Sequence, residues 1–126
     1  MSVYRTLLAD DVDDLRFMVR LALERSERFE IVAEAGNGEE AIRLTEQHQP
    51  DLVLLDISMP VVDGLEALPK VHAACEEAAI VMLSGFEAAR LGPAAIELGA
   101  KGYLEKGIPP NQLVDELLKL LGDRAA

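Results

Sequence analysis

Asp51-Leu52-Val53-Leu54-Leu55-Asp56-Ile57-Ser58-Met59-Pro60 is the stretch on which the reading of this chain turns. Leu52 to Leu55 are all apolar, with no polar residue alternating between them, and an aspartate stands at each end. Such a run suits a strand covered on both faces, as in a parallel sheet with helices above and below. Outward from it, comparable runs lie near Val3 to Ala9, Glu30 to Glu34, Ala79 to Ser84 and Gly102 to Glu105. Longer segments of helical period separate them, which makes the chain a series of βα units. The expected fold is therefore α/β: a doubly wound five-stranded parallel sheet with helices on both faces.

The helical segments are legible to different degrees. After Asp13, residues Leu15, Met18, Val19, Ala22 and Leu23 fall on one arc and are expected to face inward, with Asp13 and Asp14 at the positive N-terminal end. Asn37-Gly38-Glu39-Glu40 reads as a capping box, with Ala41, Leu44 and Thr45 inward and Pro50 closing the helix. A third helix is expected from about Gly64 to Ala74, with Pro69 removing one of its hydrogen bonds. Between Gly85 and Gly99 the pattern is broken by Gly85, Gly92 and Pro93, and a helix is expected only from Pro93. The last helix should start at Pro110 and stop at Gly122. Its Leu113, Val114, Leu117, Leu118, Leu120 and Leu121 cover roughly 160° of arc, an arc that serves either as core alone or partly as apolar surface for a partner.

Composition narrows the function. At 126 residues the chain is one domain, read as 1–122 with a short frayed tail at 123–126. Twelve Lys and Arg against 23 Asp and Glu give a formal charge of −11, which disfavours direct binding to nucleic acid or to an anionic membrane surface. The single cysteine, Cys75, forms no intramolecular disulfide and no zinc cluster, which fits a cytoplasmic location. No signal peptide and no run of 18 apolar residues is apparent. His48, His72 and Cys75 read as ordinary side chains without partners at ligand spacing.

In an open parallel sheet, ligands bind beyond the carboxyl ends of the strands. There the chain places Asp10-Asp11, Asp56 and Ser84, with Lys106 just past the fifth strand. Singly each would pass as a helix cap, a strand end or a solvated lysine; together they crowd one edge. Three carboxylates in a cleft repel one another unless one is protonated or a divalent cation or an ammonium lies near; oxygen-only ligands suit a hard ion such as Mg²⁺, and Lys106 adds positive charge. A carboxylate in that setting can attack a phosphoryl group, forming an aspartyl phosphate.

These residues resemble the receiver domains of two-component response regulators over nearly the whole chain. The resemblance is carried by Asp10-Asp11, by Leu54-Leu55-Asp56-Ile57-Ser58-Met59-Pro60-Val61-Val62-Asp63-Gly64, by Ser84, and by Gly99-Ala100-Lys101-Gly102-Tyr103-Leu104-Glu105-Lys106. It implies the flavodoxin-like strand order 2-1-3-4-5, with Asp56 as phosphoacceptor. It further implies Mg²⁺ held by Asp56, Asp11, Asp10 (mainly through water) and the Ser58 main-chain carbonyl, and phosphoryl contacts from Ser84 and Lys106. The implied donor is a phosphohistidine on a sensor histidine kinase or phosphotransfer protein, and the receiver catalyses its own phosphotransfer and self-dephosphorylation rather than turning over a separate substrate. Ser84 and Tyr103 would switch, remodelling the face of the fourth helix, fifth strand and fifth helix to control a partner, an output domain or a homodimer.

Three positions depart from the common pattern. Gly107 follows the lysine where many receivers have proline, making the segment more similar to receivers that precede LuxR-type helix-turn-helix output domains; the chain is then a stand-alone receiver or part of a longer protein. Pro109 replaces a side-chain cap worth about 1 kcal/mol. Phe86 and Ser58 are candidate modulators of hydrolysis, Phe86 by screening an acyl phosphate from water. Two other readings compete: a binding module of the same fold that works without phosphorylation, and a phosphohydrolase with an aspartyl nucleophile. The second lacks an acidic residue two places after the nucleophile, where Ser58 stands.

Overall fold

Strand and helix alternate through the whole of residues 3–123, which the computed structural model describes. The elements are β1 (Tyr4–Ala9), α1 (Asp13–Arg25), β2 (Phe29–Ala35), α2 (Gly38–His48), β3 (Leu52–Leu55), α3 (Gly64–Ala74), β4 (Ala79–Ser84), α4 (Ala88–Glu97), β5 (Gly102–Glu105) and α5 (Pro110–Leu120). All strand pairings are parallel. They run in the order β2-β1-β3-β4-β5, the arrangement the resemblance implied.

Strand alternation divides the core into two layers. Leu7, Val53, Leu55, Ile80 and Met82 point to the face covered by α2, α3 and α4, where Ala41, Leu68, Val71 and Ala95 meet them. Leu8, Leu52, Leu54 and Val81 point to the face covered by α1 and α5, against Leu23, Leu113 and Leu117. Continuous apolar runs are thus required because both sides of each central strand are buried.

Helix α2 begins as its sequence indicates: Asn37 Oδ1 accepts from the Glu40 amide at 2.8 Å. The Glu40 carboxylate reaches back one residue further than a capping box, to the Gly36 amide at 2.8 Å. Helix α3 spans Gly64–Ala74 with Pro69 inside it, capped by Asp63.

Elsewhere the structure corrects the sequence reading. Helix α4 starts at Ala88, and Pro93 lies within it. Its first amide is satisfied from β5, where Glu105 Oε2 accepts from Ala88 N at 2.8 Å. Small Gly92 and Ala95 let the helix lie close on the sheet, so tertiary contacts outweigh the local breakers. On α1 only Leu23 is buried; Leu15 is partly exposed and Met18 is 62% exposed, so the expected inward arc is narrower. Between α1 and α5 lies a cavity of about 300 Å³ lined by Leu15, Met18, Val19, Ala22, Ile108 and Leu113.

On α5 the core reading of the wide arc holds. Leu113, Leu117 and Leu118 are buried, and Val114, Leu120 and Leu121 pack on the same core, so the wide arc is used internally. Asp123, assigned by sequence to the tail, is held against the body: its carboxylate accepts from Tyr4 Oη at 2.6 Å and pairs with the Arg28 guanidinium. The rest of that tail lies outside the described residues.

Candidate functional site

The carboxyl edge of the sheet is built by neighbouring strands fixing each other's last residues. The Asp56 amide donates to Ala9 O at 2.9 Å, the Asp10 amide to Ala35 O at 3.0 Å, and the Lys106 amide to Ser84 O at 2.8 Å. These bonds continue the ladders one step past the strands. They bring Asp10, Asp56, Ser84 and Lys106 to one edge although 50 residues separate the hydrogen-bonded pair Asp56 and Lys106.

At its centre the Lys106 ammonium bridges two carboxylates, 2.9 Å from Asp10 Oδ2 and 3.1 Å from Asp56 Oδ2. Asp10 Oδ1 accepts from the Val12 amide at 2.9 Å. Asp11, exposed, completes a group in which one oxygen each from Asp10, Asp11 and Asp56 all lie within 4.8 Å of one another. That hard, all-oxygen set could hold a divalent cation that keeps part of its water shell. Among the described residues, no buried side-chain nitrogen or oxygen lacks a hydrogen-bond partner.

Electrostatics at Asp56 oppose one another. Burial, with the Asp10 charge adding to it, raises the carboxyl above the ordinary aspartate value, although the Lys106 hydrogen bond pulls it down. Burial alone would lower the Lys106 ammonium, but its bonds to Asp10 and Asp56 outweigh that and raise it. The lysine therefore stays charged, and Asp56 is a buried carboxylate whose charge is costly to maintain.

The remaining candidates surround this centre. Ser84 is fully buried at the end of β4, and its Oγ accepts from the Phe86 amide at 3.2 Å. Tyr103 is half-buried in β5 and donates its hydroxyl to the Phe86 carbonyl at 2.9 Å. The Phe86 ring is partly exposed, with the Arg90 guanidinium carbon 6.0 Å from its centroid. Ser58 is exposed in the loop after Asp56. Gly107, after the lysine, has φ of +97°, a conformation natural to glycine. His48 and His72 stand on α2 and α3, and Cys75 is buried beside the Pro50 carbonyl.

Two further residues shape the site, Gly64, which the sequence placed at the start of the third helix, and Arg16, which it did not single out. A Cβ on Gly64 would lie 2.0 Å from the Asp56 carbonyl oxygen, so α3 starts directly against the strand end only because residue 64 has no side chain. Arg16, one turn into α1, donates to the Asp10 carbonyl at 2.5 Å. The only hint of it in sequence is an arginine shortly after an acidic pair. In the loop between Asp56 and Gly64, Val61 adopts φ of +69°, strained for a β-branched residue.

The response regulator receiver domain family matches residues 6–118. The chemotaxis protein CheY of Bacillus subtilis is 35% identical over 118 residues, 94% of this chain and 98% of that protein. A two-component response regulator of the LuxR family from Aurantimonas superposes with a TM-score of 0.90 at 32% identity, over 98% of this chain and 88% of that one. The CheX-CheY-BeF3-Mg²⁺ complex from Borrelia burgdorferi gives 0.87 at 26% identity, over 93% and 88%.

Proposed function

The chain belongs to the response regulator receiver family, and from that premise we propose that Asp56 is its phosphoacceptor. The protein is a phosphorylation-dependent signalling switch rather than an enzyme turning over a separate substrate. The observation that supports Asp56 is its carboxylate, buried at a strand end, bonded to Lys106, and grouped with Asp10 and Asp11.

The phosphoryl donor in this reading is a phosphohistidine on a sensor kinase or phosphotransfer protein. An Asp56 oxygen forms a bond to phosphorus as the phosphorus–nitrogen bond of the donor breaks, and the released imidazole takes up a proton. Lys106 turns its ammonium from the Asp56 carboxylate toward the phosphoryl oxygens, neutralising charge as it spreads. A divalent cation, Mg²⁺ by analogy with the Borrelia complex, would supply further charge neutralisation when held by Asp10, Asp11, Asp56 and the Ser58 main-chain carbonyl. Water later hydrolyses the acyl phosphate at the same place, with Ser58 and Phe86 modulating its access.

Ser84 and Tyr103 carry the readout. Ser84 Oγ and the Tyr103 hydroxyl both bond to Phe86, the first at its amide and the second at its carbonyl. A phosphoryl group that recruits the Ser84 hydroxyl reorganises this segment and the start of α4, shifting a population already present. The α4, β5 and α5 face then controls a partner, an output domain or a second copy. Receivers of this kind act in the cytoplasm, and the charge of −11 argues that nucleic acid is not bound by this domain directly. The domain in this reading spans 1–122.

The test is intact mass after incubation with acetyl phosphate and Mg²⁺, beside Asp56→Asn. One phosphoryl adduct on the unmodified protein alone, labile to hydroxylamine and abolished by EDTA, is expected. An adduct of equal yield on Asp56→Asn would reject Asp56 as the acceptor.

A further inference from the structure

We propose that Arg16 is a positioning residue for the metal-binding acidic loop, acting on Asp11 through the main chain of Asp10; this rests on the reading of Asp10, Asp11 and Asp56 as a divalent-cation site. Arg16 touches no carboxylate of that group. Its Nη1 donates to the Asp10 carbonyl oxygen at 2.5 Å, its Nε to Glu34 Oε1 at 2.9 Å, and its Nη2 to Asp13 Oδ1 at 2.8 Å. The side chain is only 18% exposed and, with Asp10 and Asp56, lines a small cavity beneath the site.

The geometry explains what such a contact would do. The Asp10 carbonyl belongs to the peptide plane that joins Asp10 to Asp11, and a peptide is rigid. Holding that oxygen therefore sets the plane from which the Asp11 Cα and Cβ project. Asp10 is also held at its amide by Ala35 O, at Oδ1 by Val12 N and at Oδ2 by Lys106. Asp11 is exposed and α1 begins two residues later, so its aim depends on the plane before it. Arg16 is itself braced: Glu34 on β2 accepts from it and, through Oε2, from Arg20 Nη1 at 3.0 Å. A planar guanidinium can serve three acceptors in fixed directions, which a lysine ammonium cannot reproduce.

Positioning and charge predict opposite signs. Removing a positive charge near a dication site strengthens cation binding if charge is all that matters. Loosening a residue that orients a metal ligand weakens it, typically 10- to 100-fold. The experiment is isothermal titration of Mg²⁺ into the full chain, unphosphorylated, for the wild type, Arg16→Lys, Arg16→Met and Glu34→Gln, the last alone and combined with Arg16→Met. On the order of ten-fold weaker binding is expected in both Arg16 variants. Glu34→Gln should give a smaller weakening that disappears in the Arg16→Met background. Unchanged or tighter Mg²⁺ binding in Arg16→Lys and Arg16→Met would overturn the proposal.

A second readout needs no metal. Backbone ¹⁵N relaxation in EDTA should give Asp11 and Val12 order parameters near the rigid value of about 0.85 in the wild type and clearly lower values in Arg16→Lys. Equal values would overturn the positioning role. Should the wild type show no Mg²⁺ binding, the reading of the acidic group as a cation site fails, while the relaxation measurement still decides what Arg16 does to the loop.

Discussion

Replacing Asp56 by asparagine is expected to stabilise the metal-free protein at neutral pH, although it removes one of the two ion pairs made by Lys106. Asp56 is 3% exposed, and burial, followed by the repulsion of Asp10, raises its carboxyl above the ordinary range against the pull of Lys106. Asparagine keeps the volume and an acceptor oxygen, and Lys106 retains Asp10 at 2.9 Å. Taking a carboxylate out of water costs several kcal/mol, which its partners repay only in part, and a neutral group of similar shape avoids that cost while Lys106 keeps Asp10 as its partner. The weakened Lys106 bond returns part of that gain, about 1–3 kcal/mol for a bond to a charged group, which leaves a net gain on the order of 1 kcal/mol. The folded state binds the Asp56 proton more tightly than the unfolded chain does. Wild-type stability associated with this group is therefore greatest in acid and is lost as pH rises from the ordinary value through the raised one. The advantage of asparagine should accordingly be largest at neutral pH and shrink toward pH 4. Urea denaturation in EDTA at neutral and acidic pH measures it, and a domain of this size should show roughly 3–5 °C in thermal midpoint per kcal/mol. A variant less stable than wild type at neutral pH, or a gap that widens on acidification, would refute the reasoning.

Other consequences are as concrete. Lys106→Met leaves the acidic residues without their ammonium and should lower metal-free stability by about 2 kcal/mol, while Mg²⁺ should then restore more stability than it adds to wild type; equal melting in EDTA would count against the bridge between Asp10 and Asp56. Val61→Asn places a residue tolerant of the left-handed region at φ +69° and should stabilise by about 1 kcal/mol, read from the urea midpoint; no gain would mean the valine is not strained. Phe86→Glu should shorten the lifetime of phosphorylated protein followed by intact mass, and equal decay rates would remove the screening role from the ring.

Much of the fold was visible in one dimension because its causes are local or periodic. Leu52 to Leu55 had to be a covered strand, since four apolar residues in a row have no wet face to offer, and Asn37 had to open a helix because its side chain can satisfy an amide three residues on. The same logic put Asp10, Asp56, Ser84 and Lys106 at strand ends, and parallel strands bring their carboxyl ends to one edge. Periodicity does not say how far an apolar arc will be covered. Met18 was left in the open beside the cavity between α1 and α5, whereas the leucines of α5 were used in full. Nor did local signals show that Glu105, from another strand, would satisfy the first amide of α4 and move its start ahead of Pro93. Arg16 on the Asp10 carbonyl, and Asp123 against Tyr4 and Arg28, belong to the same class. Sequence determined which segments are strands and helices and which edge bears the chemistry, because backbone propensity and side-chain period act over a few residues. Tertiary structure alone decided which polar groups meet across the sheet, because hydrogen bonds of about 3 Å form between residues whose separation along the chain carries no signal of their meeting.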